Sequence, residues 1–514
     1  MKFEMLKDEH WWGGAAVTAP NQPFDASSEY ECDLLYADGN QSAPLLVSDK
    51  GRYVWSEHCF KFRVSGGRVE IFDENAKLYE AGSTLKDAYL TAMKAHFPFS
   101  GKVPPEKFFL TAQYNTWMEF TYNPTEKTVL EYAESIVKNG YEPGILIIDE
   151  GWHTRYGVWE FDFAKFPDPK GMIDKLHKMG FTVMLWVVPF MTADGRDFLD
   201  AASKAKFLNN DDRPLPLLKT DDGRVAIVEW WNGFSAILNP CDELDRAFLD
   251  KKLQKLMTEY GVDGFKFDGG SLGRYDPKNV INGKQTRYTA EELNIAWNEF
   301  GERYEFHEYK DTFKRGGAPV IQRIRDRGHR WDDDGLCTLL PFAFVEGLTG
   351  YPFLCPDMIG GGEWSYTLSG KPWDEELVVR MAQCSALFPM MQFSLAPWRI
   401  LSPEKAAMCL KAAGIHKEFA PTIIKEVKKS AHTGEPIIRH LEYVYPNEGF
   451  AKVLDAFMLG DGILVAPVLE KGAITRTVKL PKGKWLYLGE TELDGGATVT
   501  VDAPLDTLPY FIKK

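Results

Sequence analysis

Residues 261–270, GVDGFKFDGG, end a buried-strand pattern in Lys266 and Asp268. The two charged side chains share one face because successive residues of a strand alternate. A lysine beside an aspartate lowers the carboxyl pKa and keeps the group ionised, as a carboxylate nucleophile requires. On a solvated strand end the same two residues would be only an ion pair. Other apolar runs close on polar groups in the same way. Asn115 follows AQY, Asp149 follows LII, Trp186 lies within MLW, Arg323 and Asp326 follow VIQ, and Asp357 follows FLCP. Four of these eight residues are Asp, and none is Ser, Cys or His. An acid-rich, histidine-poor set suits glycosidic chemistry, in which two carboxylates act around a cationic, oxocarbenium-like transition state. It suits acyl transfer poorly.

Groups at strand ends need a sheet that gathers those ends. The runs FFLTAQY (108–114), GILIIDEGW (144–152), FTVMLWVVPF (181–190), VDGFKFDGG, APVIQRI, GYPFLCPDMIGG and ALFPMMQFS alternate with amphipathic stretches. Those stretches include TEKTVLEYAESIVKNG, KGMIDKLHKMG and ELDRAFLDKKLQKLMTEYG. Roughly eight such units predict an α/β fold, a (β/α)8 TIM barrel over 105–438, whose catalytic groups lie at the C-terminal ends of its strands. A doubly wound sheet is the alternative, but no Gly-rich phosphate loop follows the first strand. Residues 1–104 show period-two runs broken by Gly, Asn and Asp and predict an N-terminal β-sandwich-like domain. Residues 439–514 predict a C-terminal all-β domain.

The 514 residues carry 60 Lys and Arg against 74 Asp and Glu, a net charge of −14, which argues against a nucleic-acid backbone or an anionic membrane as partner. Seven scattered cysteines without a C-x-x-C pair match neither a disulfide framework nor a zinc site. His307 and His329 have no partners at ligand spacing, so neither a metal nor a cofactor is expected. The opening MKFEMLKDEHWWGG lacks an apolar core of the export type, and no stretch of 18 apolar residues occurs. The expected location is therefore the cytoplasm, and a homo-oligomer is compatible with the composition.

YGVDGFKFDGG, taken with LIIDEGW, FPDPKGMIDKLHKMGFTVMLWVVPF, EWWNG and GYPFLCPDMIGGG, resembles the family 31 glycoside hydrolases over roughly residues 90–500. These are retaining α-glycosidases built on a (β/α)8 barrel with β domains on either side. The resemblance implies that Asp268 is the nucleophile, that Asp149 and Asp357 bind the sugar of the −1 subsite, and that Trp186 shapes its wall. It implies an acid/base five residues before Trp331, which falls on Asp326. Arg323 then contacts substrate or carboxylates, and Asn115 and Lys266 complete the substrate-binding set. Asp332, Asp333 and Asp334 stand where a helix is expected and read as its N-cap. Trp230 and Trp231 either floor the cleft or pack in the core, with Trp231 taken as the sugar contact. Glu308 reads as a solvated loop carboxylate, and Gly360, Gly361 and Gly362 as a turn of close backbone approach.

Where the best-known α-glucosidases of the family carry a His after the last strand, this chain has FPMMQFS, with Ser394 or Gln392 in that place. Where they carry D-x-D on the second strand, it has DEGW, with Gly151 at the second position. With QYNTW and CPDMIGGGEW, these departures resemble the bacterial α-galactosidase branch. The expectation is a retaining exo-α-glycosidase that releases terminal α-linked galactose from an oligosaccharide or glycoside. An α-glucosidase or α-xylosidase on the same machinery is the alternative. A non-catalytic carbohydrate-binding relative would have lost one of the two carboxylates. Transglycosylation shares the intermediate and differs only in the acceptor.

Overall fold

The computed structural model describes residues 1–37, 39–202 and 217–514. Eight parallel strands follow one another in sequence and in space: β1 (Gln113–Asn115), β2 (Ile145–Ile148), β3 (Thr182–Val187), β4 (Gly264–Phe267), β5 (Phe306–Tyr309), β6 (Gln322–Arg323), β7 (Leu354–Cys355) and β8 (Gln392–Phe393). β8 pairs with β1 on one side. On the other, Ile359, just past β7, forms a parallel bridge to Phe393 and donates its N–H to the Gln392 carbonyl at 2.9 Å. That contact brings the two edges of the sheet together, and the architecture is the (β/α)8 barrel that the alternation predicted. Helices on its outside form where the sequence caps them. Thr125 and Thr128 make a reciprocal cap at the start of Glu126–Lys138, and Asp168 accepts from Gly171 at the start of Pro169–Lys178.

Two segments differ from expectation. The apolar run from Phe108 is divided: Lys107–Leu110 is a helical turn, and β1 begins only at Gln113. Pro104 and Pro105, just upstream, lack the N–H that a strand ladder needs. The residues read as a polar loop, YEFHEYK, form β5, where His307 and Glu308 are both buried. Their polarity breaks the apolar run by which a central strand is recognised.

The N-terminal part holds two four-stranded antiparallel sheets. Trp11, Leu46 and Val54 of one sheet share a core with Phe62, Val64, Val69 and Ile71 of the other, which makes a sandwich. The C-terminal part is a six-stranded antiparallel sheet with a two-stranded ribbon. A hairpin, Ile227–Trp230 with Gly233–Ile237, projects from the long connection between β3 and β4, and Trp231 and Asn232 form its tip. Among the described residues no helix is long and apolar enough to cross a membrane.

Candidate active site

The strand register decides which side chains meet. Trp186 on β3, Lys266 on β4 and Glu308 on β5 stand at one level, and Asp268 lies two residues beyond Lys266 on the same face. A cleft of about 400 Å³ opens above them, lined among others by Asp149, Trp186, Trp231, Lys266, Asp268, Lys310, Arg323 and Asp326. The cleft therefore brings together seven of the nine predicted site residues. Asn115 and Asp357 stand behind its wall, and each binds a residue that lines it.

Asp268 is fixed by two donors. Trp186 Nε1 donates to Oδ2 at 3.0 Å, and the Gly269 N–H donates to Oδ1 at 2.8 Å. Gly269 and Gly270 have φ of 64° and 70°. A Cβ on either would come within 2.7 Å of the Phe190 or Trp297 ring, so only glycines can make this turn. Burial pushes the Asp268 carboxyl up, but the Lys310 and Lys266 charges and the Trp186 hydrogen bond outweigh it and hold the group below the ordinary carboxylate range. Lys266, the expected partner, does not bind Asp268 directly. Its Nζ donates to Asp149 Oδ2 at 2.7 Å, both side chains being almost wholly buried. Removing one partner of such a pair costs about 3–5 kcal/mol, because the other is left as a bare charge. Asn115 donates to the same Asp149 oxygen at 2.8 Å, and its own Oδ1 accepts from the Trp117 N–H. Asn115 thus aims Asp149 and is not itself a wall of the cleft.

Lys310 is the main residue the sequence reading missed. It follows β5, the strand hidden by its polar residues, and its Nζ donates to Asp326 Oδ2 at 2.7 Å. Arg323 Nη1 donates at 3.0 Å to both Asp326 Oδ1 and Asp357 Oδ1. Burial pushes Asp326 up, and Lys310, Arg323 and Lys266 together hold it low, so the resting carboxyl is ionised. Asp357 sits in a cradle of donors. The Met358 N–H reaches Oδ1 at 2.7 Å, and the Arg327 and Gly362 N–H groups reach Oδ2 at 2.6 and 2.8 Å. With Arg323 these leave no acceptor for a proton on Asp357. They oppose the burial and the Asp326 charge, which still leave the carboxyl pushed up to about 6. Of the pair, Asp326 is the member that lines the cleft. The glycine run closes the cradle: a Cβ on Gly362 would stand 2.7 Å from oxygens of both Asp326 and Asp357.

Three further expectations change. Glu308 is not solvated; it is fully buried, 3.4 Å from Arg323 Nε, and burial pushes its carboxyl up. Asp332, Asp333 and Asp334 are not the N-cap of a helix; Asp332 Oδ1 accepts from the Asp334 N–H at 3.3 Å within a turn. The turn Leu336–Thr338 begins at Gly335 without a side-chain cap, and Asp332 pairs with Arg330 at 2.6 Å. Ser394 does not line the cleft; its Oγ accepts from the Met118 N–H at 2.6 Å. Gly151 has φ 99°, and a Cβ there would meet the Tyr122 carbonyl at 2.4 Å, so no carboxylate fits this position. Trp230 is buried against Phe190, with centroids 4.4 Å apart, whereas Trp231 is 47% exposed at the hairpin tip. Glu150, also missed, lines the cleft and accepts from Tyr156 Oη and Asn232 Nδ2. Burial and the neighbouring Asp149 and Asp268 charges push it up to about 8, so it is a neutral acid at pH 7. Among the described residues no group of three or more His, Cys, Asp or Glu could hold a metal ion.

Comparison with known proteins gives the chain's relatives. The chain is 28% identical to the myogenesis-regulating glycosidase of Mus musculus over 551 residues, covering 98% of this chain and 74% of that protein. It is 25% identical to alpha-glucosidase 2 of Bacillus thermoamyloliquefaciens over 491 residues, covering 89% and 57%. The fold matches a glucose-complexed dextranase of Flavobacterium johnsoniae with a TM-score of 0.83 at 19% identity, over all of this chain and 66% of that one. The glycosyl hydrolases family 31 TIM-barrel domain matches residues 103–397, which hold every carboxylate of the cleft, and the family's C-terminal domain matches 434–514. A barrel with this carboxylate set, matched over more than half its length, belongs to glycosyl hydrolase family 31.

Proposed function

We propose that this chain is a retaining, exo-acting α-glycosidase with Asp268 as nucleophile and Asp326 as acid/base. The observation that carries this reading is the placing of two differently held carboxyls on one cleft. Asp268 is clamped by the Trp186 and Gly269 N–H groups, whereas Asp326 lines the same cleft between the cations Lys310 and Arg323. In the first step Asp268 attacks the anomeric carbon while protonated Asp326 gives its proton to the departing oxygen. The bond from carbon to the leaving group breaks, and a glycosyl ester forms on Asp268. In the second step Asp326 takes a proton from water, the water oxygen attacks the anomeric carbon, and Asp268 leaves with its electron pair. Asp149 and Trp186 grip and wall the −1 sugar, and Trp231 offers a ring face toward the cleft mouth. The cleft volume lies at the small end of ligand pockets and favours removal of a terminal sugar.

For the sugar itself two readings have support. The names of the relatives, an α-glucosidase and a dextranase among them, back an α-glucoside better than the galactoside first expected. The α-galactoside reading rests on the positions where the chain departs from the α-glucosidase pattern. There Gly151 leaves no room for a carboxylate, and Ser394 is not among the residues that line the cleft. Initial rates on 4-nitrophenyl α-glucoside, α-galactoside and α-xyloside separate them: the preferred sugar should lead in kcat/KM by at least about tenfold. No turnover of any of the three would reject the glycosidase reading.

Lys310 supplies a test of the electrostatics. In Lys310→Met the cation beside both carboxyls is gone, so the pKa of Asp268 and that of Asp326 rise together. Activity needs Asp268 ionised and a proton on Asp326, which its cations disfavour at rest. Both limbs of the kcat/KM–pH profile should therefore move to higher pH, and an unmoved profile would remove Lys310 from the account.

A further inference from the structure

Residues 324–328, which carry Asp326, form neither helix nor strand, so other contacts must hold the acid/base in place. One set of contacts comes from the N-terminal sandwich, more than 280 positions away. Asn40, 1% exposed, reaches across to the barrel. Its Nδ2 donates to the Arg323 carbonyl at 3.1 Å and lies 3.4 Å from the Lys310 carbonyl, while its Oδ1 accepts from the Arg325 N–H at 2.9 Å. Gln41 Nε2 also donates to the Lys310 carbonyl, at 3.2 Å. The adjoining strand is fixed to the same loop, with the Ser42 N–H on the Thr312 carbonyl and the Lys314 N–H on the Ser42 carbonyl.

The pattern of these bonds gives them a meaning. Arg323 and Lys310 are the two cations whose side chains hold Asp326, and Arg325 is the residue just before it. One buried amide therefore ties together the backbones of both cations and of the acid/base segment. We propose that Asn40 is a positioning residue for the general acid: it fixes the distance of Asp326 from Lys310 and Arg323 without touching substrate. The inference rests on the reading of Asp326 as acid/base. It makes the N-terminal sandwich a part of the catalytic apparatus, where packing alone would make it only a support. A buried amide with three backbone partners is also costly to truncate, since each partner left unpaired keeps its desolvation penalty.

General-acid assistance matters most when the leaving group is poor, and this gives a readout that ordinary destabilisation does not mimic. The experiment compares kcat/KM of the full chain, Asn40→Ala, Asn40→Asp and Asp326→Ala on three substrates of the preferred sugar: the α-glycosyl fluoride, the 4-nitrophenyl α-glycoside and the methyl α-glycoside. Asn40→Asp is nearly isosteric and keeps the acceptor for Arg325, so it covers the case in which the alanine variant does not fold. The expected result is a loss of about 10- to 100-fold on the methyl glycoside for the Asn40 variants, as for a displaced catalytic group, with the fluoride within about threefold of wild type. A loss of equal size on all three substrates, or no loss, while Asp326→Ala still shows the leaving-group dependence, overturns the role of Asn40 and leaves the enzyme reading intact. If Asp326→Ala itself shows no leaving-group dependence, the acid/base assignment falls, and this inference falls with it.

Discussion

Asp268→Ala is expected to lower kcat/KM on the preferred aryl α-glycoside by at least about 10⁴-fold, the scale on which loss of a nucleophile is felt when the remaining site still binds. The reason lies in how the carboxyl is held. Trp186 and the Gly269 N–H fix both oxygens, and the Lys310 and Lys266 charges keep the group anionic. Two acidic neighbours are otherwise held. Asp149 is locked to Lys266 and Asn115, and Glu150 is a neutral acid at pH 7. Alanine also leaves a space that a small anion can enter. Azide should restore part of the activity, attacking from the vacated side to give the β-glycosyl azide. Steady-state rates and the anomer of the azide product check both halves. Activity within tenfold of wild type would reject Asp268 as nucleophile.

Asp326→Ala should produce a loss that depends on the leaving group. For the methyl glycoside a fall of about 10²–10⁴-fold is expected, the usual worth of a positioned proton donor, whereas departure of fluoride should be far less affected. Removal of the carboxyl also leaves Lys310 and Arg323 without one of their anions. Azide can bind there and intercept the glycosyl ester, and the product should then be the α-glycosyl azide, opposite to that from Asp268→Ala. The two variants thus give opposite anomers from one reagent, and the same anomer from both would contradict the division of roles.

The chemistry of the site was more legible in the sequence than its scaffolding. Strand ends such as LIID and FKFD announce themselves because an apolar run stops at a charge, and the barrel follows from repeating that unit. Legibility failed at β5, where His307 and Glu308, buried on opposite faces of the strand, imitate a loop. With that strand went Lys310, the cation that reaches Asp326. The cradle around Asp357 was out of reach for another reason. Three of its donors are backbone N–H groups, which every sequence contains, and only that of Gly362 follows the turn at Gly360 and Gly361. Asn40 was beyond sequence reasoning altogether, because its partners are brought to it by the packing of the sandwich on the barrel.

The central claim is a covalent glycosyl ester on Asp268, and trapping it is the most direct test. A 5-fluoro-α-glycosyl fluoride of the preferred sugar slows both steps by destabilising the oxocarbenium-like transition state, while its good leaving group favours the first, so the intermediate accumulates. Peptide mass spectrometry of the inactivated protein should find one glycosyl group, on the carboxyl of Asp268. An adduct on another carboxylate, or full turnover of natural glycosides with the β-anomer formed first and no adduct, would contradict the account.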